Sequence, residues 1–121
     1  MKLTDKQKQG LLFGYICVIT FLSIIPGGKS SEIAIPGMDK LVHFVFYLVL
    51  AVLFFYSEIF KKFRAEFLII LFCSSFFGVF IECIQAIIPW RSFELKDMIA
   101  NFLGALSGLT GIFYLKKDSF K

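Results

Sequence analysis

The sequence has few charged residues and few residues that could build a covalent or metal-held framework. Only 18% of its 121 residues are charged, and it contains three cysteines and one histidine. Cys17, Cys73 and Cys83 all lie inside apolar runs, and none belongs to a Cys-x-x-Cys pair. An odd number of cysteines without metal-ligand spacing argues against a disulfide or zinc framework. We therefore expect these cysteines to be small apolar packing residues.

The pattern of a nucleic-acid-binding surface is also missing. The formal net charge is +4, but the basic residues lie in short flanks beside apolar runs, and no basic stripe stands apart from them. Lysine and arginine in such flanks are typical of an oriented membrane protein. We therefore predict no nucleic-acid partner. Internal repeats, low-complexity segments and alternating strand patterns are absent from the sequence as well.

Apolar residues are what the sequence has in excess. Hydrophobic residues make up 58% of the chain, which includes 17 phenylalanines, and the mean hydropathy is +0.80. A soluble domain is about 45–50% apolar. A soluble domain of this size could not bury the excess, because small domains leave much of their surface exposed. The sequence therefore predicts that residues 1–121 form a single all-α domain, an integral membrane bundle embedded in the lipid bilayer.

Four apolar runs approach the length of about 20 residues that a spanning helix needs. We predict transmembrane helices at about 10–25, 41–57, 67–88 and 98–115. The first run is short and ends at Pro26-Gly27-Gly28. Its basic flank also resembles a signal peptide, but no small-x-small cleavage pattern follows, so we expect an uncleaved span. In the fourth run, Ala100, Gly104 and Gly108 form a stripe of small residues that favours close helix packing.

The basic residues predict the orientation of the bundle. They gather in the N-terminal tail, in the connection after the second helix and in the C-terminal tail. The other two loops hold only Lys29, Lys40, Arg91 and Lys96. Because cytoplasmic flanks are enriched in lysine and arginine, we predict that both termini are cytoplasmic and that these two loops face outward.

Polar residues that are unusual in a membrane gather at the outer end of the predicted bundle. Asp39, His43 and Tyr47 are four residues apart near the start of the second helix, so they share one face. Glu82 and Gln85 share a face near the end of the third helix. The outer loops and the fourth helix bring further polar residues to the same layer: Lys40, Arg91, Lys96, Asp97 and Asn101.

Glu82 is the most unusual member of this set. At a rise of about 1.5 Å per residue it lies roughly 9 Å inside the predicted span, where a carboxylate is costly and needs a partner. Ionisable residues at such depth are functional hypotheses by default. Other members have structural alternatives, because Asp97 suits the positive end of a helix dipole, Asn101 can link helices and Lys40 can extend to the interface.

Three separated segments, in order, resemble the motifs of the VanZ-like family. They are Asp39-Lys40-Leu41-Val42-His43-Phe44 with Tyr47, Glu82-x-x-Gln85 with Pro89-Trp90-Arg91, and Asp97-Met98-Ile99-Ala100-Asn101-Phe102-Leu103-Gly104 with Gly108. The resemblance implies a four-helix protein of the bacterial cell membrane. The founding member of the family is associated with resistance to the glycopeptide teicoplanin. The site residues that the resemblance implies are Asp39, Lys40, His43, Tyr47, Glu82, Gln85, Arg91, Asp97 and Asn101.

A binding module is the first function that these residues favour. A cleft at the outer leaflet would hold the headgroup of an anionic envelope lipid or a cell-wall precursor, and this would link the chain to glycopeptide resistance. Arg91 would make a bidentate contact with the anion, with Lys40 and Lys96 as point charges. The sequence is also compatible with an oligomer.

A membrane enzyme is the alternative. His43 suits a general base near neutral pH, Glu82 in an apolar setting suits a general acid, and Asp97 is a third catalytic candidate. A metal on these residues and Asp39 has weak support, because one histidine stands among scattered acids; we therefore predict no metal and no cofactor. An ion or proton transporter ranks last, since the polar groups stop at the outer layer.

Overall fold

The computed structural model describes residues 2–24, 38–89 and 94–119. Within these ranges the chain is entirely helical and contains no strand. The four helices are α1 (Asp5–Ile24), α2 (Met38–Ser57), α3 (Glu66–Ile87) and α4 (Leu95–Ser119). Each is long and apolar enough to cross a membrane. The predicted all-α architecture of four membrane-spanning helices is therefore confirmed, whereas the cytoplasmic location of the termini stays a prediction.

The helices extend beyond the apolar runs that predicted them. α1 begins at Asp5 rather than near position 10, because Thr4 and Gln7 form a reciprocal cap. The Thr4 backbone N–H donates to Gln7 Oε1 at 2.9 Å, and the Gln7 N–H donates to Thr4 Oγ1 at 3.2 Å. Such a capping box satisfies backbone donors that the first turn leaves open. Hydropathy thus locates the apolar part of a helix, while capping decides where the helix begins.

Close packing of α2 against α4 forms the centre of the bundle. A Cβ atom added at Gly104 would lie 2.1 Å from the backbone oxygen of Phe44, and one at Gly108 would lie 2.7 Å from that of Leu48. Both positions therefore need glycine for the two backbones to approach. This is the use that the stripe of small residues predicted, since small residues let helices come close in lipid.

Large apolar side chains fill the interior and also cover the outside. One buried group, which includes Tyr47 and Leu50, packs α1 against α2, and the other packs α2, α3 and α4 around Ala51 and Ala105. Many phenylalanines point outward instead; Phe72, for example, is 71% exposed. An apolar exterior of this extent suits contact with lipid tails.

The helix order places two sets of polar side-chain contacts at opposite ends of the bundle. The start of α2, the end of α3 and the start of α4 share one end, where His43 and Asn101 are hydrogen-bonded. The start of α1 and the end of α2 share the other end, where Lys8 and Glu58 form an ion pair. At that end α2 stops after Ser57, and Glu58 takes a left-handed backbone conformation with φ 62°.

Candidate functional site

Six polar residues from α2, α3, α4 and the position before α4 come together at the first of these ends. We call them the polar cluster: Lys40, His43, Glu82, Glu94, Asp97 and Asn101. Buried members come from different helices, since Glu82 lies on α3 and Asp97 and Asn101 lie on α4. The structure thus brings His43, Glu82 and Asp97 together, as the sequence predicted from their depth.

His43 is held between two residues of α4. Its Nδ1 lies 2.9 Å from Asn101 Oδ1, and its Nε2 lies 3.4 Å from Asp97 Oδ2. An amide oxygen only accepts hydrogen bonds, so Nδ1 carries a hydrogen and donates it to Asn101. The two contacts fix the plane of the imidazole ring and direct Nε2 toward the carboxylates.

Lys40 closes the water-facing edge of the polar cluster. Its ammonium group donates to Glu94 Oε2 and to Asp97 Oδ1. The Lys40 side chain is about one-third exposed, and that of Asp97 is nearly buried. One cation is therefore shared by two acids, and the described part of the cluster contains three carboxylates in all.

Glu82 lies deepest, with no exposed surface. The backbone N–H of Glu94 donates to its Oε2 at 3.2 Å. Among the described residues, its Oε1 and the Asn101 Nδ2 have no hydrogen-bond partner. Buried polar atoms without partners are rare in folded proteins and call for an explanation. These two atoms are where a bound group would complete the site.

One ligand atom each from His43, Glu82 and Asp97 lies within 4.8 Å of the other two. Carboxylate oxygens are acceptors only when ionised, so Glu82 and Asp97 cannot bond to each other unless a proton or a cation lies between them. The arrangement can therefore bind a cation, bind donors such as ammonium and hydroxyl groups, or exchange a proton.

Of the other residues that the sequence predicted for the site, Tyr47 borders the polar cluster, and the rest turn away from it, are exposed or lie outside the described ranges. Gln85 turns toward α1, where its Nε2 donates to the Ser23 carbonyl at 2.9 Å. Tyr47 is buried with its ring 6.2 Å from that of Phe77, and its ring and the Asn101 side chain both lie against Gly78. Lys96 is exposed. The Asp39 side chain and the whole of Arg91 lie outside the described residues.

Glu94 is a member of the polar cluster that sequence reasoning missed. It lies just before the predicted fourth span, in a polar loop where hydropathy gives no contrast. A signal was nevertheless present, because Glu94 precedes Asp97 by three residues and so approaches the same face of the helix. Its carboxylate accepts from Lys40, and its backbone N–H donates to Glu82.

Comparison with known proteins matches the chain to a family and to a relative. A family model described as VanZ/LLP1 matches residues 5–117. An uncharacterised protein of the fission yeast Schizosaccharomyces pombe is 34% identical over 91 residues, which is 74% of this chain. The aligned region spans 56% of that relative, so the chain covers little more than half of its length. No solved structure matches.

Proposed function

This chain belongs to the VanZ/LLP1 family, and we propose that it binds the polar headgroup of an envelope lipid or a lipid-linked cell-wall precursor. The observation that carries the proposal is Glu82, a fully buried carboxylate with one oxygen unpartnered among the described residues. An ionisable group inside a membrane protein faces the bundle interior or a wet cavity and has a partner. A headgroup entering from the leaflet would supply that partner.

The binding site belongs to the outer leaflet of a bacterial cell membrane in this proposal. The end of the bundle opposite the polar cluster carries Lys8, Lys61 and Lys117, among other basic residues. A surplus of lysine and arginine is typical of the cytoplasmic side. The polar cluster then faces outward, at the level of the lipid headgroups.

The cluster offers contacts for both ends of a headgroup. Glu82 Oε1 accepts from an ammonium, amide or hydroxyl group, and Asn101 Nδ2 donates to an oxygen. Lys40 already shares its charge with two carboxylates. We therefore assign the anionic part, such as a phosphate, to Lys96 and Arg91, whose guanidinium suits a bidentate contact.

A link to glycopeptides follows if the headgroup belongs to a cell-wall precursor. A bound precursor at the outer leaflet would be less accessible to a glycopeptide such as teicoplanin. Resistance would then depend on the number of copies of the chain, because a binding module acts by stoichiometry. Deleting the chain would lower resistance, and Glu82→Gln would lower it to the same extent.

Lipid identification tests the proposal directly. The full chain is purified gently from its native membrane, and the co-purified lipids are identified by mass spectrometry. We expect one lipid class to be enriched with the wild type and with the control Glu58→Gln, and lost with Glu82→Gln. Arg91→Ala should lose phosphate-bearing members of that class. Identical lipid profiles for all four proteins would refute the proposal.

The orientation is tested by labelling introduced cysteines from outside the cell. The three native cysteines are first replaced by alanine, because Cys17 and Cys83 are exposed. We expect an impermeant reagent to label Arg91→Cys and to leave Lys62→Cys unlabelled until the membrane is opened. The reverse pattern would place the polar cluster on the cytoplasmic side.

Acid–base catalysis on an envelope lipid is a second candidate, favoured by the contacts of His43. An imidazole fixed by Asn101 and paired with a carboxylate resembles an oriented general base, with Glu82 available as the acid. The two candidates differ in turnover. If the chain is an enzyme, an isolated envelope lipid is consumed repeatedly, and His43→Ala and Glu82→Gln each abolish this consumption. Stoichiometric binding without product supports the binding module alone.

A further inference from the structure

We propose that His43, Glu82 and Asp97 form a binding site for one divalent transition-metal ion. Each contributes one ligand atom from a different helix, and the three atoms lie within 4.8 Å of one another. The sequence led us to predict no metal, because the acids are scattered along the chain. In the folded protein they are not scattered, because α2, α3 and α4 bring the three ligands close together.

Each of the three ligands is held by a second residue through its other polar atom. His43 Nδ1 donates to Asn101 Oδ1. Asp97 Oδ1 accepts from Lys40, and Glu82 Oε2 accepts from the Glu94 backbone N–H. Metal-binding histidines and carboxylates are normally oriented by such outer-shell hydrogen bonds. A further atom of each ligand faces the other two ligands, within 4.8 Å.

The remaining atoms are electron-rich and lie close together. With a hydrogen on Nδ1, a neutral His43 carries its lone pair on Nε2, which is 3.4 Å from Asp97 Oδ2. Glu82 Oε1 is buried and has no partner among the described residues. Mutual repulsion of these atoms in a buried setting is relieved by a positive charge at their centre.

The spacing and the ligand types indicate which ion fits. Two ligands at about 2.0–2.2 Å from a tetrahedral zinc are roughly 3.4 Å apart, and this is the separation of His43 Nε2 and Asp97 Oδ2. An imidazole nitrogen suits zinc or a similar transition metal, whereas magnesium and calcium prefer oxygen ligands. Three protein ligands also leave a coordination position open, as in zinc sites that bind a further group.

The open position gives the ion a role in headgroup binding. With the ion bound, a phosphate or carboxylate oxygen of the headgroup would occupy this position in addition to its contacts with Lys96 and Arg91. The ion, in place of a headgroup donor, would then be the partner of Glu82 Oε1. This part of the inference rests on the proposed function, whereas metal binding itself does not. The test is therefore made without lipid.

Metal binding is measured on the full chain in detergent after removal of metal by a chelator. Zn²⁺, Mn²⁺ and Mg²⁺ are each added alone, and bound metal is counted by equilibrium dialysis with elemental analysis. We expect about one Zn²⁺ per chain and much weaker binding of Mg²⁺, because imidazole disfavours it. Co²⁺ should give the intense visible spectrum of a four-coordinate site. No retained Zn²⁺ on folded wild-type protein would overturn the proposal.

Variants assign the ligands. We expect Glu82→Gln, which keeps the shape of the side chain, and His43→Ala to lose Zn²⁺ binding. Asn101→Ala should weaken it by about 10–100-fold, the usual effect of an outer-shell partner. Glu58→Gln at the opposite end should bind Zn²⁺ like the wild type. Equal binding by Glu82→Gln and Glu58→Gln, with both proteins folded by circular dichroism, would contradict the assignment.

The metal and lipid experiments fail independently of each other. A chain that retains a lipid class but binds no metal refutes this inference and leaves the proposed function standing. A chain that binds Zn²⁺ at the three ligands but enriches no lipid refutes the proposed function and leaves the metal site.

Discussion

Glu58 follows the spanning helix α2 and Glu82 lies inside the spanning helix α3, and the two carboxylates are held in different ways. Glu58 accepts from Lys8 at 3.3 Å and from Lys61 at 3.0 Å, and all three side chains are partly or largely exposed. Glu82 at the other end has no exposed surface and one unpartnered oxygen among the described residues. Glu58 thus has ion-pair partners at the surface, whereas Glu82 is buried and has a hydrogen-bond partner for one of its two oxygens among the described residues.

The difference separates a charge that we expect to be replaceable from one that the proposed function uses. An ion pair in water contributes little to stability and is easily replaced. A buried charge is costly unless it is fully paired, and for this reason we assign the proposed function to Glu82. The two ends are distinguished by how deeply their charged groups are buried and by whether every polar atom has a partner. The number of charged groups does not distinguish them.

The largest effect should come from forcing apart the helices that enclose the polar cluster. Gly104→Ala adds a Cβ 2.1 Å from the Phe44 backbone oxygen, so α2 and α4 must separate. We expect a loss of about 3 kcal/mol in the free energy of unfolding, the upper end for overpacking. The measurement is a denaturant titration in detergent, monitored by circular dichroism.

Gly111→Ala is the matched control for this change. It lies on the same helix, and an added Cβ meets nothing within 4 Å. Alanine also favours the helix over glycine, so this variant should be as stable as the wild type or slightly more stable. If Gly104→Ala behaves like Gly111→Ala, the backbones are not in contact and the cluster is not enclosed.

An intermediate effect is expected from removing one buried charge. Asp97→Ala takes a partner from both Lys40 and His43. In metal-free protein we expect a loss of about 2 kcal/mol in unfolding free energy, less than for a fully buried pair because water reaches part of Lys40. Lys96→Ala, on the same turn and exposed, should change little. Equal effects of the two variants in the same unfolding titration would mean that burial does not decide how much a charge contributes at this end.

The smallest effect should come from the exposed end. Hydrogen bonds from Lys61 and from Lys8 hold the pKa of Glu58 below its ordinary value. A lowered folded-state pKa stabilises the fold above the ordinary pKa, and this stabilisation is lost as the pH falls through the folded-state value. The small difference in unfolding midpoint between wild type and Glu58→Gln should therefore vanish on acidification.

Salt provides the check on this last prediction. At about 1 M salt the screening length is about 3 Å, so the same small difference should shrink at neutral pH. A difference that survives both acid and high salt would mean that Glu58 acts through packing or through its left-handed backbone, and not through its charge.

The sequence predicted which helices bring polar residues to one end of the bundle better than it predicted the contacts of each residue. Spacings of four residues placed His43 on one face, and depth placed Glu82 at the same level, so their convergence was predictable. Gln85 was assigned to the same site, but it bonds to the Ser23 carbonyl of α1. Glu94 was missed because it lies in a polar loop, where hydropathy gives no contrast, although its spacing of three residues from Asp97 placed it near the same face.

By itself, the sequence determined four spanning helices and the layer in which their polar residues lie. These properties follow from local hydropathy and from the helical repeat, which neighbouring residues fix. Only the tertiary structure decided that Lys40 is shared by two acids and which atom of Glu82 is left without a partner among the described residues. Such contacts depend on how far apart the helices lie and how they are rotated, and close approaches such as Gly104 against Phe44 set both.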